Sequence, residues 1–219
     1  MKIKDIMSYN VVTIPSNTSI AEAKRIMTVH KITRLPVVDK SKLVGIVTSR
    51  MIESVSPSKA TSLSIWEVSY LLEKTTVKEI MSKDVFTVSP DTDAEAAIAA
   101  AQRRKFGSAV VVQDDKVVGI VTTTDFFNNI LSPMLGIGVP GDRVEVTGAI
   151  YSSKGPGQLE KLIAIIRKFN YMIHTVHIEG DPIKQEVHDV CFHILGGHDL
   201  DKLLDEFRNQ GYQVRLRDR

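Results

Sequence analysis

Thr122 and Asp125 stand three residues apart, just after the apolar, β-branched run Val117-Val118-Gly119-Ile120-Val121 and at the expected start of a helix. A hydroxyl and a carboxylate at that spacing serve either of two ends. They cap a helix, taking up free backbone N–H groups. They also suit a nucleotide. Free N–H groups and the helix dipole favour a phosphate, a threonine hydroxyl donates to a phosphate oxygen, and a carboxylate accepts from both hydroxyls of a ribose. Spacing alone leaves both readings open. Arg34 is a second candidate, whose guanidinium either pairs with a phosphate through two hydrogen bonds or is an ordinary solvated charge.

Other chemistry is harder to find. Gly136-Ile137-Gly138-Val139-Pro140-Gly141 matches G-x-G-x-x-G in letters only. That fingerprint must follow a strand and open a helix, whereas here it follows a helix-like stretch and contains a proline, so it reads as a linker. Five of the six histidines, His174, His177, His188, His193 and His198, fall in the last third of the chain, with His174 and His177 expected on opposite faces of a strand. No metal site is expected from them. Cys191 is the single cysteine and lies in an apolar strand, which suits a core position rather than a nucleophile. No G-x-S-x-G, H-E-x-x-H or P-loop is present, and no catalytic residue is assigned.

The 219 residues are 43% hydrophobic and 25% charged with net charge +2, an ordinary globular composition. Charge is uneven: residues 1–76 carry net +5, residues 77–142 net −3, and residues 143–219 are balanced. No segment has the basic character of a nucleic-acid surface, while the positive first third can help draw in an anion. Apolar runs are far shorter than the roughly 18 residues of a membrane span. With one cysteine and no secretory leader at the N-terminus, a cytoplasmic protein is expected, with neither nucleic-acid nor membrane partners.

Shifted by 74 positions, the sequence overlies itself without a gap, and residues 4–52 and 78–126 share 17 identities in 49 positions. Lys4-Asp5-Ile6-Met7-Ser8 lies over Lys78-Glu79-Ile80-Met81-Ser82, and Val44-Gly45-Ile46-Val47-Thr48 over Val118-Gly119-Ile120-Val121-Thr122. Each copy reads β-α-β-β-α. A short extended piece (residues 11–14 in copy one) precedes a helix opened by Ser19-Ile20-Ala21-Glu22, a capping-box sequence. Two apolar runs (35–38 and 43–47) joined by Asp39-Lys40-Ser41-Lys42 form a hairpin. A second helix begins near Thr48, and near Thr122 in copy two. About 50 residues bury too little surface to be stable alone, so the copies should pack on each other. The serine-rich residues 54–62 read as a loop, and Ile65, Val68, Leu71 and Leu72 as a connecting helix packed on the pair.

These repeats resemble CBS domains, and the tandem resembles a CBS pair, through Asp5-Ile6-Met7, Arg34-Leu35-Pro36-Val37-Val38-Asp39 and Gly119-Ile120-Val121-Thr122-Thr123-Thr124-Asp125. The resemblance implies that Thr122, Thr124 and Asp125 contact the ribose and phosphate of an adenine nucleotide, with Ile120 beside them. It implies that the opposing copy supplies a base pocket walled by Val11 and Val12, and further contacts from Arg34 and Pro36. The ligand so implied is AMP, ADP, ATP or S-adenosylmethionine. Copy one departs from the pattern, with Met51 at the carboxylate position, and copy two has Ser108 opposite Arg34. One competent site per chain is therefore expected.

Beyond residue 142 the apolar pattern reads β-α-β-β-α-β, a ferredoxin-like order. With Gly155-Pro156-Gly157-Gln158-Leu159 after its first strand, this part resembles an ACT domain, a family whose members often bind amino acids at that turn (here residues 154–158) and often pair through their sheets. Ser153-Lys154 stands where amino-acid binders often carry an acid or amide, which favours a structural or dimerising role. The expected class is α/β (α+β), with CBS repeat 1 at 1–53, a linker and connecting helix at 54–76, CBS repeat 2 at 77–132, a linker at 133–142 and an ACT-like domain at 143–219. The combination resembles the acetoin utilization AcuB family. The expected function is a non-enzymatic energy sensor that binds an adenosyl ligand and acts through a homodimer or an unknown protein partner. The alternative is an interaction module with a vestigial site.

Overall fold

The computed structural model describes residues 1–55, 64–151, 157–180 and 186–217. Most of the serine-rich loop (56–62) and most of the turn expected to bind an amino acid (154–156) lie outside these residues. The chain divides into two compact units, Met1–Phe126 and Phe127–Arg219.

The first copy in unit one consists of α1 (Ile20–His30), β1 (Arg34–Asp39), β2 (Lys42–Thr48) and α2 (Ser49–Val55). Ser19 caps α1, its hydroxyl accepting from the Glu22 N–H at 3.2 Å. Ile20, Ala23 and Met27 bury one face of the helix. Lys31 ends it in the left-handed region (φ 54°) and turns the chain toward β1. Strands β1 and β2 pair antiparallel around Lys40 and Ser41, both at positive φ (50° and 67°), the hairpin geometry that matches strand twist. The expected opening strand shrinks to one parallel bridge between Ile14 and Val37, because Pro15 follows at once. Between the copies, α3 (Ile65–Lys74) is capped by Ser64 and Glu67 and sets Leu72 against the first copy's core. Trp66 and Tyr70 on the same helix are exposed.

Copy two repeats the plan with β3 (Thr87–Val88), α4 (Ala94–Arg104), β4 (Ser108–Gln113), β5 (Lys116–Thr122) and α5 (Thr123–Phe126). Each copy reaches into the other. Ser8 exchanges both backbone hydrogen bonds with Ile120 at 2.9 and 3.1 Å, and Ser82 does the same with Ile46 at 2.9 Å each way. Val77, at the start of copy two, is buried in the core of copy one. The copies are thus one folding unit, as the marginal size of either requires.

Unit two begins with a π-helical turn (Phe127–Leu131) and α6 (Ser132–Met134). It continues through β6 (Asp142–Tyr151), α7 (Gly157–Lys168), β7 (Tyr171–Glu179), β8 (Val187–Gly196), α8 (Leu200–Asn209) and β9 (Gln213–Leu216). The antiparallel sheet has order β7-β8-β6-β9, the ferredoxin-like arrangement expected. Val144, Val146, Phe192 and Ile194 meet Leu162, Ile166, Leu203 and Phe207 in its core. The glycine-rich residues 136–141 lead into strand β6 and open no helix. Glu145 is buried, its carboxylate held by Arg215 at 2.8 Å and by Arg217, which also grips Glu179 through two bonds at 2.5 and 2.6 Å.

Candidate functional site

A cavity of about 330 Å³ opens in unit one, lined by residues of both copies. That volume is at the lower end for small-molecule sites and suits one nucleotide-sized ligand. Of the residues singled out in the sequence, Val11, Val12, Arg34, Ile120, Thr122, Thr124 and Asp125 line it. Pro36 does not: it is buried in β1, where its carbonyl accepts from the Ile14 N–H at 3.2 Å. Five lining residues were not foreseen, namely Ser8, Asn10, Lys31, Ile32 and Thr33. The left-handed turn at Lys31 delivers three of them, swinging the chain from α1 across the cavity mouth before β1 begins. Ser8 is placed by its backbone exchange with Ile120.

On the copy-two side, Asp125 Oδ2 accepts from the Thr122 N–H at 2.7 Å and from the Thr122 hydroxyl at 2.6 Å, and the Asp125 N–H approaches the hydroxyl at 3.4 Å. This is the capping arrangement, and it coexists with a place on the cavity wall. Among the described residues no donor reaches Oδ1, which leaves one carboxylate oxygen for a ligand hydroxyl. Helix α5 is only four residues long before the π-helical turn, too short to contribute much dipole, so any anion here relies on side-chain charge. Arg34, half-buried on the copy-one side, donates to the Thr33 hydroxyl at 3.2 Å. Its guanidinium stands against Gly107 of copy two, where a Cβ would lie 3.1 Å from Nη2.

The equivalent positions of the other cleft are built differently. Phe86 and Phe106 stand where Val12 and Ile32 line the first cavity. Their rings stack 5.6 Å apart at an interplanar angle of 10°. The Arg104 guanidinium lies 5.5 and 4.9 Å from the two centroids and pairs with Asp84 at 3.2 Å. Half of the capping arrangement also goes: Thr48 still accepts from the Met51 N–H at 3.3 Å, but Met51 returns no carboxylate. Among the described residues, no group of three or more His, Cys, Asp and Glu side chains could hold a metal ion, and no helix is long and apolar enough to cross a membrane.

The sequence model of the CBS domain matches residues 3–56 and 77–132. An L-aspartate semialdehyde sulfurtransferase of Methanocaldococcus jannaschii is 36% identical over 127 residues, which is 56% of this chain and 22% of that protein. A homoserine O-acetyltransferase of Methanohalobium evestigatum is 35% identical over 127 residues, 56% of this chain and 23% of that protein. The chain thus spans less than a quarter of either relative. Among solved structures, the CBS domain pair of protein MJ0100 in complex with 5′-methylthioadenosine and S-adenosyl-L-methionine superposes at TM-score 0.50 with 33% identity, covering 60% of this chain and 97% of that one. A putative acetoin utilization protein, AcuB, from Vibrio cholerae gives TM-score 0.50 with 29% identity over 64% and 98% of the two chains. CBSX2 in complex with AMP gives 0.50 with 27% identity over 60% and 97%.

Proposed function

The chain belongs to the CBS-domain family, and from that premise we propose that it is a non-enzymatic regulatory protein that senses an adenosyl ligand in the cleft between its two repeats. The observation that carries this reading is the cavity shared by both copies, in which Val11, Val12 and Arg34 of one face Ile120, Thr122, Thr124 and Asp125 of the other. Two similar structures hold AMP or S-adenosyl compounds, which supports the ligand class. The base lies against Val11 and Val12, and Asp125 Oδ1 accepts from the ribose. A ligand touching both copies favours the arrangement that brings them together, and that differential affinity biases a two-state pair. The ferredoxin-like unit, read as an ACT-like domain, joins two chains through its sheet and relays the change to a cytoplasmic partner.

Isothermal titration of the full chain with AMP, ADP, ATP, S-adenosylmethionine and 5′-methylthioadenosine tests the ligand class. Scattering and limited proteolysis with and without ligand test the relay. A ligand at 100 times its Kd stabilises the fold by about 2.7 kcal/mol, which a thermal shift detects. Titrations without heat or thermal shift for all five compounds would contradict the reading.

A further inference from the structure

The cavity wall carries two cations, Lys31 and Arg34, against one acid, Asp125. Neither cation has a carboxylate partner among the described residues: Arg34 reaches only the Thr33 hydroxyl, and Lys31 makes no ion pair. Lys2, Lys4, Arg25 and Arg104 of the same unit pair with acids at 2.6 to 3.2 Å, whereas the two cations on the cavity wall are left for a ligand. Asp125 offsets one of the two charges, so the lining keeps a net positive charge. The Arg34 guanidinium also reaches across to copy two, where a Cβ at Gly107 would lie 3.1 Å from Nη2. The short helix α5 supplies little field of its own, so these two side chains set the sign of the site.

The similar structures hold ligands of different charge beside the same adenosine. AMP carries a phosphate dianion. 5′-Methylthioadenosine is neutral at that place, and S-adenosylmethionine has a sulfonium cation there. Resting on the adenosyl reading above, we propose that this cleft selects phosphorylated adenosine over its sulfur-bearing analogues, with Arg34 and Lys31 taking the phosphate. A guanidinium pairs with phosphate through two short, charge-assisted bonds. The same guanidinium repels a sulfonium, and its half-buried position weakens the screening of both effects by water.

The comparison of AMP with 5′-methylthioadenosine isolates the phosphate, because the adenosine is common to both. Titration of the full chain is expected to show AMP binding at least about tenfold tighter than 5′-methylthioadenosine, the size of one net charge-assisted hydrogen bond, and S-adenosylmethionine binding more weakly still. The lead of AMP should shrink as salt rises from about 0.05 to about 0.5 M. In the double variant Lys31→Gln/Arg34→Gln, with folding checked by circular dichroism, the ratio of the AMP and 5′-methylthioadenosine affinities should fall to within about threefold of one. A wild-type site that binds S-adenosylmethionine or 5′-methylthioadenosine as tightly as AMP overturns the selectivity and leaves the adenosyl reading intact. A lead for AMP that survives in the double variant also overturns it, since the phosphate is then held elsewhere. If none of the three binds and neither ADP nor ATP does, the adenosyl reading itself falls.

Discussion

Met7 of the first copy packs its sulfur against Gly119 of the second, and Met81 lies against Gly45 in the mirrored contact. A Cβ at Gly119 would fall within the Met7 thioether, and a Cβ at Gly45 would stand 2.6 Å from Met81 Sδ. Both methionines are largely buried, so neither can swing freely into solvent. Gly119→Ala should therefore destabilise unit one by about 1 to 3 kcal/mol through overpacking. Met7→Ala makes room, so the double variant should be more stable than the sum of the single losses. Urea unfolding of the four proteins measures this coupling. Strict additivity would mean that the two residues do not meet.

Asp125 has two tasks, and the variants should separate them. Asp125→Ala removes the acceptor for the Thr122 N–H and hydroxyl and should cost about 0.5 to 2 kcal/mol as a lost cap. Asp125→Asn keeps a side-chain acceptor and should retain most of that stability. Both variants weaken an adenosyl ligand, by about tenfold or more, because the ribose loses a charged acceptor. Thermal unfolding without ligand and titration with AMP give the two numbers. Equal affinity in Asp125→Asn and wild type would remove the carboxylate from the site.

One ligand per chain is expected. The second cleft lacks the carboxylate at Met51 and the guanidinium at Ser108, and it places the stacked rings of Phe86 and Phe106 where the first has Val12 and Ile32. Those rings are held by Arg104, which Asp84 fixes in turn. Titration with AMP should saturate at a single equivalent. The variant Phe86→Val/Phe106→Ile/Met51→Asp/Ser108→Arg should raise the stoichiometry toward two. A wild-type chain that takes two equivalents with equal affinity would refute the asymmetry.

Much of this was readable from local pattern. The duplication, the hairpins and the Ser19 cap depend on neighbours within a few residues, and the structure follows the reading there. The aliphatic-to-aromatic exchange at Phe86 and Phe106 was also visible in the aligned copies. It is a change of bulk, and a search for charged and hydroxyl side chains passes it by. Lys31, Ile32 and Thr33 were harder. Their place on the cavity depends on a left-handed residue after α1, and lysine, unlike glycine, gives little sign of that conformation. Pro36 stays off the cavity lining for a geometric reason: it is buried within β1, and its carbonyl is taken by the Ile14 N–H. Glu145 gave no signal either. A charge alternating with valines reads as solvent-facing, and the arginines that hold it, Arg215 in β9 and Arg217 just past it, come some seventy residues later.

His193 should make unit two sensitive to mild acid. Its ring is 1% exposed and lies edge-on to His174, with centroids 5.2 Å apart. Gly136 packs so close to Nδ1 that a side chain there would clash, and Nδ1 has no hydrogen-bond partner among the described residues. Burial above all, then the neighbouring His174 and Arg143, holds its pKa below the ordinary imidazole value, with the Pro140 carbonyl and Asp142 opposing. The fold therefore keeps His193 neutral, whereas the unfolded chain takes up a proton below about pH 6.5. Stability from this group is complete above that pH and is lost as pH falls through the lower folded value. The melting temperature should drop between about pH 7.5 and pH 5. His193→Phe, which cannot take up the proton and keeps a ring against Gly136, should flatten that slope. Parallel pH profiles for wild type and variant would place the acid sensitivity in another group.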